Sequence, residues 1–298
     1  MECADVFYDA LDQLSVERHQ APWPMNAEPM VRLYARLLAS HPTGGAVAAH
    51  AGRAIGFAIA VERQRSWFLG FLFVRPAHQG RGIGRRLLEQ VLPTGGVDAW
   101  LADGGVLATC AEAVQPVATG LYASYGMRPR DPISMLVGSP RPGALRRLPR
   151  SIEALPFALV EDDLGATALA ELLEPLDVAA VGYRRDVDHA ADRGEGRQGV
   201  LYRDRRGGQV RGYGYAQPSG RLGPATATDP ELLEPIVRDL IERVPVSGAW
   251  QLVVPGASAA MPGLLHAGLR LDEPPILHCS TAPSMAVESY LLRSYALP

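Results

Sequence analysis

The feature that most constrains this chain is the stretch FLFVRPAHQGRGIGRRLLEQVL, residues 71–92. An apolar run ends at a proline, three glycines follow within five positions, and an amphipathic segment rich in arginine comes next. This order predicts a buried strand over 67–74, a glycine turn, and a helix over 82–92 that packs through one apolar face. The chain must therefore fold with a strand that leads almost directly into a helix.

The glycine turn is a candidate anion site. A helix exposes its first backbone N–H groups, and its aligned peptide dipoles place about half a positive charge there. Glycine has no Cβ atom to keep a bulky phosphate away from these groups. The turn therefore predicts a phosphate or diphosphate site, with an ordinary turn among solvated arginines as the alternative. The arginines that flank it are Arg75, Arg81, Arg85 and Arg86.

Two common phosphate-binding loops do not fit this turn. A dinucleotide fingerprint would need glycine where Arg85 or Leu87 stands. A Walker loop would need a lysine, and the chain contains none, because all 29 of its Lys and Arg residues are arginines. The formal net charge of -3 also argues against a nucleic-acid partner.

The cysteines and the hydropathy of the sequence indicate the compartment in which the protein is found. The cysteines at positions 3, 110 and 279 have no metal-binding spacing, so we expect no metal site and a reducing compartment. No apolar stretch reaches membrane-spanning length, and no secretory leader is recognisable. We therefore expect a cytoplasmic protein without a membrane partner.

Length and composition predict two domains. A chain of 298 residues with 47% hydrophobic residues can bury two ordinary cores. Glycine and proline gather over residues 137–149, and we interpret residues 139–150 as a linker between a domain at 1–138 and a domain at 151–298. A predicted hairpin over 45–60 recurs over 199–216, and this favours an ancient tandem duplication over chance similarity.

The second half departs from the first at the glycine turn. Its corresponding segment, GRLGPATATDPELLEPIV, has alanine and threonine where glycines are needed and brings three carboxylates to the helix start. Carboxylates stabilise a helix N-terminus and repel a diphosphate, so we expect no such anion site in this half. We predict an opening strand at 157–160 and a solvated, salt-bridged face at 182–193, with a role in ligand binding as the alternative for the latter. The tyrosines that could line a pocket or pack on the sheet are Tyr183, Tyr202, Tyr213 and Tyr215.

Two motifs in the first half resemble the GNAT superfamily of acyl-CoA-dependent N-acyltransferases. The acyl-CoA loop of that family reads Q/R-x-x-G-x-G/A after a strand ending in Val-x-Pro, and the matching residues here are Val74, Pro76, Gln79, Gly82 and Gly84. The second motif reads N-x-x-A-x-x-L-Y-x-x-x-G-F. Its positions, with conservative departures at the first and last, are filled by Gln115, Ala118, Leu121, Tyr122, Gly126 and Met127. The resemblance covers residues 45–137 well and the second half in outline.

The resemblance implies an α/β (α+β) fold of two GNAT-like domains, each a mixed, mostly antiparallel twisted sheet flanked by helices. It also implies acetyl-CoA as co-substrate. The end of the strand would bind the pantetheine arm, the turn would bind the diphosphate, and the tyrosine of the second motif, Tyr122, would give a proton to the sulfur. The implied cofactor-binding residues are Leu72, Phe73, Val74, Gln79, Gly80, Arg81, Gly82, Ile83, Gly84, Arg85 and Gln115.

The sequence leaves the general base open. Glu112, just after a predicted strand over 106–111, is the first candidate and Glu62 is the second. An amine that arrives neutral would need neither. We expect His78 to lie on the phosphate side, where it would shape the loop, and Tyr125 to pack on the sheet.

The resemblance therefore predicts an N-acyltransferase whose first half moves an acetyl or short acyl group from acyl-CoA to an amine of a small molecule. A non-catalytic acyl-CoA-binding regulator and a protein lysine acetyltransferase are the alternatives. A second half that caps the first would favour a small acceptor over a protein. A homodimer is compatible with the sequence.

Overall fold

The computed structural model describes residues 1–17, 19–22 and 24–297. By its contacts the chain divides into two compact units. The first comprises Met1–Thr109 and Ser124–Met127, and the second comprises 110–123 and the chain from residue 128 onward. This division does not coincide with the linker predicted at 139–150. That segment has no helix or strand, as predicted, but the strand before it pairs within the second unit.

The first unit is built on a mixed sheet. Strands β1 and β2 form the predicted hairpin, whose turn has positive φ angles at Ala51 (49°) and Gly52 (77°). β3 runs antiparallel to β2, and β4 begins parallel to β3. The strands are β1 (Gly45–His50), β2 (Arg53–Arg63), β3 (Ser66–Val74) and β4 (Val106–Glu112), whose last three residues belong to the second unit. The helices are α1 (Glu2–Glu17), α2 (Ala27–Ser40), α3 (Ile83–Val91) and α4 (Val97–Ala102).

Helix α3 is fixed against the sheet at both ends. Its buried side chains recur at helical spacing and include Ile83, Leu87 and Leu88. At its C-terminal end, the fully buried indole of Trp67 on β3 donates a hydrogen bond of 2.9 Å to the carbonyl of Val91. The start of α3 is therefore held at a fixed place beside the end of β3.

The second unit is also a mixed, mostly antiparallel sheet with helices. Its strands lie in the order β12-β5-β10-β9-β8-β7-β6, and only the pair β9 and β10 among these is parallel in the described residues. The strands are β5 (Arg128–Gly138), β6 (Ile152–Pro156), β7 (Gln198–Asp204), β8 (Val210–Ala216), β9 (Arg221–Ala227), β10 (Trp250–Pro255), β11 (Arg270–Leu271), β12 (Ile276–Ser280) and β13 (Tyr290–Leu291). The helices are α5 (Pro116–Ala123), α6 (Phe157–Leu164), α7 (Ala166–Val181), α8 (Asp186–Gly194), α9 (Leu233–Arg243) and α10 (Met261–Ala267).

The predicted fold class is confirmed, since both units combine a mixed sheet with helices. The order hairpin, strand, helix, strand, helix occurs in both halves of the sequence, with the short helix α4 added before β4 in the first half. Among the described residues, no helix is both long enough and apolar enough to cross a bilayer.

The strand predicted at 157–160 is wrong, because these residues begin helix α6. Phe157 and Val160 are both buried, and their spacing of three places them on one helical face. The opening strand is the preceding segment, β6, which pairs with β7. A run of four residues is too short for its apolar pattern to separate a strand from a helix.

The solvated face predicted at 182–193 is also wrong. On and just before α8, Arg185, Asp188, His189 and Asp192 are each at most 3% exposed. They form part of a buried polar network with partners that lie far away in the sequence. Charge spacing along one helix cannot reveal such partners, which explains the error.

Asp177 on α7 is the centre of this network. Its Oδ1 accepts a 2.6 Å hydrogen bond from the Tyr213 hydroxyl, and its Oδ2 lies 2.9 Å from His189 Nε2. The other ring nitrogen of His189 lies 2.9 Å from the Tyr215 hydroxyl. Tyr213 and Tyr215 thus pack on the sheet and also satisfy the buried carboxylate and imidazole.

We expect Asp177→Asn to lower the free energy of unfolding by about 2 kcal/mol, because an amide cannot replace a carboxylate that accepts on both oxygens. Chemical denaturation measures this change. Asp163→Asn, at an exposed position, is the matched control and should unfold like the wild type. Equal stability of the two variants would contradict the importance of the network.

Candidate functional site

The glycine turn between β3 and α3 has the backbone conformation that its sequence predicts. Gly80 and Gly82 have φ angles of 72° and 73°, in the left-handed region that side chains disfavour. A Cβ atom added at either position would meet nothing within 4 Å. The space beside both residues is therefore open, and a ligand can approach the backbone there.

Backbone donors are concentrated in this turn. Gln79 still donates its N–H to Pro76, but the next six N–H groups, from Gly80 to Arg85, have no acceptor among the described residues. The first internal bond of α3 runs from Arg86 N–H to the carbonyl of Gly82, at 3.1 Å. Six adjacent unpaired donors at the positive end of a helix form a cradle suited to a diphosphate.

The side chains of Gln79 and Ile83 hold the loop in place. The Gln79 side chain donates a 3.0 Å hydrogen bond to the carbonyl of Val74, which fastens the loop to the end of β3. The Ile83 side chain is buried and anchors the first turn of α3. Only the backbone N–H group of Ile83 is therefore available to a ligand.

The four arginines around the turn divide into two kinds. Arg75 is engaged inside the protein, because it pairs with Asp9 and donates a 2.9 Å hydrogen bond to the carbonyl of Ala54. Arg85 lies over the Tyr125 ring, 5.8 Å from its centroid. Arg75, which the sequence places among the cations flanking the anion site, is therefore paired within the protein, whereas Arg81, Arg85 and Arg86 are exposed.

Arg81 and Arg86 line a groove of about 450 Å³ on the β1 side of α3, together with His50 and His78. The two imidazole rings lie 5.8 Å apart by their centroids. His78 thus lies beside the loop arginines, as expected from its sequence position. Tyr125 does not lie buried on the sheet; its hydroxyl donates to Glu89 at 2.9 Å on an exposed surface.

The end of β3 has an unpaired edge. Parallel pairing with β4 ends at Leu69 and Thr109, and in the described residues Phe71–Val74 pair with β2 alone. The Phe73 ring packs 4.9 Å from the Phe7 ring, by centroids. In this register the backbone groups of Phe73 face β2, and the Val74 carbonyl accepts from Gln79. The backbone of Leu72 and the N–H of Val74 can therefore meet a ligand on the side away from β2.

Tyr122, on α5, belongs to the second unit. It is 5% exposed, and its hydroxyl has no hydrogen-bond partner among the described residues. Burial, followed by Cys279 and Cys110, raises the pKa of this phenol above its ordinary value. Tyr122 therefore keeps its proton at neutral pH and has a free donor.

The remaining residues predicted for the site lie near the ends of β4 and β2. Glu112 is the half-buried last residue of β4, and Gln115 uses its carbonyl to accept the N–H of Thr119 at the start of α5. Glu62 lies near the end of β2, opposite Trp67, in the first unit. Glu112 and Glu62 thus belong to different units, and their role as the base stays a prediction.

Sequence reasoning missed Tyr295, which lies near Glu112 in the second unit. Its hydroxyl is buried without a partner among the described residues. Burial, followed by the charges of Glu273 and the neighbouring Cys110 and Glu112, raises the pKa of this phenol. Tyr295 lies far from Tyr122 and Glu112 in the sequence, so no local motif could have connected it with them.

In its described residues, the second unit has no loop that corresponds to the candidate anion-binding turn. In the first unit, four residues from Gln79 to Gly82 separate a short 3-10 helix from α3. In the second unit the corresponding 3-10 helix, Pro230–Leu232, is followed at once by α9. The loop is therefore missing, which is the expected degeneracy of the second half.

A carboxylate of the protein occupies the start of α9. Glu234 is 6% exposed and accepts hydrogen bonds of 2.8 Å from both the N–H and the Nε of Arg146. The open edge of the strand is also filled, since Tyr290 and Leu291 of β13 pair with β9. Both features that remain free in the first unit are therefore closed by the chain in the second.

We expect a double-mutant cycle of Arg146→Met and Glu234→Gln to give a coupling energy of about 1–3 kcal/mol, because either single change leaves a polar group without its partner. Urea denaturation of the four proteins measures it. Additive effects, within about 0.5 kcal/mol, would contradict the pairing.

Comparison with known proteins places these features in a family. Residues 8–127 match the model of the acetyltransferase (GNAT) family. No curated protein sequence matches the chain. Several solved structures share its fold. A candidate acetyltransferase from Pyrococcus horikoshii is 16% identical, with a TM-score of 0.69 over 100% of this chain and 92% of that one.

Two further structures resemble the chain over most of its length. A GCN5-related N-acetyltransferase from Sphaerobacter thermophilus is 18% identical, with a TM-score of 0.61 over 95% of this chain and 94% of that one. A tandem GNAT protein from the clavulanic acid biosynthesis pathway is 15% identical, with a TM-score of 0.54 over 95% and 96%. At these identities the similarity establishes the fold. Together with the loop, the family match shows that residues 8–127 are a GNAT acetyltransferase domain.

Proposed function

We propose that this protein transfers an acetyl group from acetyl-CoA to an amine of a small molecule. The single observation that carries the proposal is the row of six unpaired N–H groups from Gly80 to Arg85. The open space beside Gly80 and Gly82 supports it, because a diphosphate needs close access to the backbone. The backbone of Leu72 and the N–H of Val74, which point away from β2, would bind the pantetheine arm.

In this proposal the amine nitrogen attacks the thioester carbonyl, and the carbon–sulfur bond breaks. The departing sulfur takes a proton, and the amine loses one. Tyr122 suits the first transfer, because its raised pKa keeps the phenol protonated and its hydroxyl is not engaged elsewhere. Glu112 is our candidate for the second transfer, since it lies at the end of β4 and is half-buried.

We also propose that the reaction takes place in the cytoplasm. Cys3, Cys110 and Cys279 are all free thiols in the structure. A reducing compartment keeps such thiols unpaired.

Release of free thiol from acetyl-CoA in the presence of a panel of small amines tests the function. We expect one class of amine to raise thiol release well above the rate with water alone, and mass spectrometry should find the acetylated amine. Tight CoA binding without turnover on any amine would favour a non-catalytic acyl-CoA binder. Acetylation of lysine peptides in preference to small amines would point to a protein acetyltransferase.

A further inference from the structure

The second unit has a surface groove of about 440 Å³ that acyl transfer does not explain. It lies between α7 and the adjoining ends of β8 and β9. Leu172 and Leu176 form an aliphatic wall on the helix side, and exposed polar residues form the rim. A groove of this size accommodates a small organic molecule.

The floor of the groove contains a threonine whose hydroxyl has no partner in the described part of the protein. Thr226 is 3% exposed, and its side chain forms no hydrogen bond with a described residue. Ala225 and Ala227, its neighbours on β9, belong to the hydrophobic core that includes α9. Side chains alternate along a strand, so Thr226 faces the α7 side. The Thr226 hydroxyl has no partner among the described residues and can therefore bond to a ligand in the groove.

The rim carries a second set of unused acceptors. Pro175 lies inside α7 and has no N–H group, so the Glu171 carbonyl cannot receive its usual helical hydrogen bond. The Glu171 carboxylate also has no ion pair or hydrogen bond among the described residues. None of the residues lining the groove is an arginine or a histidine. The groove therefore offers acceptors and a single negative charge at its rim.

We propose that this groove binds a small aliphatic amine that carries a second polar group, such as an amino alcohol. The ammonium group lies beside Glu171, the aliphatic spacer packs on Leu172 and Leu176, and the distal hydroxyl bonds to Thr226. This ligand site is independent of the acyl transfer proposed above, because every residue in it lies outside the acyl-CoA loop.

A matched set of three probes tests the proposal on the full chain without acetyl-CoA. The probes are 6-amino-1-hexanol, 1,6-hexanediol and 6-hydroxyhexanoate, which differ in the charge at one end. Ligand-observed NMR titration should give a dissociation constant of roughly millimolar size for the amine, as expected for so few atoms. We expect binding of the diol and the carboxylate to be about tenfold weaker or worse.

Variants locate the binding. Glu171→Gln and Thr226→Val should each weaken binding of the amine about tenfold, since each removes one polar contact. Thr226→Val should also fold as well as the wild type, because its hydroxyl has no partner to lose. Glu174→Gln is the matched control, on the same helix but paired with Arg184 and not in the groove lining.

Three results would overturn the proposal. They are failure of the amine to bind, equal binding of all three probes, and an effect of Glu174→Gln as large as that of Glu171→Gln. Gly82→Val should leave amine binding unchanged. This variant therefore separates failure of the groove from failure of the acyl-CoA loop.

Discussion

Gly82→Val should weaken CoA binding by about a hundredfold or more, because it removes several charge-assisted hydrogen bonds at once. Gly82 is the residue before α3 and has a φ angle of 73°. Valine disfavours this conformation, and its side chain would project into the open space beside the turn. Isothermal titration with CoA measures the loss.

The variant should remain folded. The strain at one left-handed residue is roughly 1–2 kcal/mol, below the stability of an ordinary domain. Gly143→Val is the matched control, because Gly143 has a φ angle of 75° and also meets nothing within 4 Å. Circular dichroism should be unchanged in both proteins. Retained CoA affinity in Gly82→Val, or equal loss in Gly143→Val, would contradict the assignment of the loop.

Tyr122→Phe should lower turnover about a hundredfold while CoA affinity stays the same, because the phenol acts as a proton donor in the reaction. Its hydroxyl has no partner among the described residues, so phenylalanine breaks no hydrogen bond in the folded protein. Steady-state thiol release and CoA titration separate the two quantities.

Tyr125→Phe provides the control for Tyr122→Phe. Tyr125 lies three positions further on and bonds to Glu89 at an exposed surface, so its loss should change turnover little. Because the pKa of Tyr122 is raised, the wild-type rate should not fall through loss of its proton below about pH 10. Turnover of Tyr122→Phe within twofold of the wild type would exclude the proton-donor role.

Local features of the fold could be predicted from the sequence, because their causes are local. The turn at Ala51 and Gly52, the strand at 66–74 and the helix at 83–91 follow from glycine positions and apolar periodicity. The absence of the loop in the second unit also follows from the local sequence. Glycines are missing there, and carboxylates stand at the helix start.

Features that depend on distant partners could not be predicted. Nothing near Arg75 indicates that Asp9 neutralises it, and nothing near α8 indicates that Asp177, Tyr213 and Tyr215 enclose its histidine. The pairing of β13 with β9 joins segments that lie far apart in the chain and carry no matching motif. Such contacts arise from the topology of the sheet, which periodicity does not encode.

The candidate site also combines features that the local sequence predicts with features that it does not. The sequence identified the cradle, because its N–H groups are consecutive in the chain. It also placed Tyr122 on a helix by its motif. It could not assign the general base, since Glu62 and Glu112 have equally ordinary local sequences and only their surroundings distinguish them.

A crystal structure of the protein with bound CoA tests the central claim most directly. We predict that the diphosphate oxygens lie within hydrogen-bonding distance of backbone N–H groups between Gly80 and Arg85. We also predict that the CoA sulfur lies within reach of the Tyr122 hydroxyl. A coenzyme bound elsewhere, with the N–H groups of this turn facing solvent, would contradict the account.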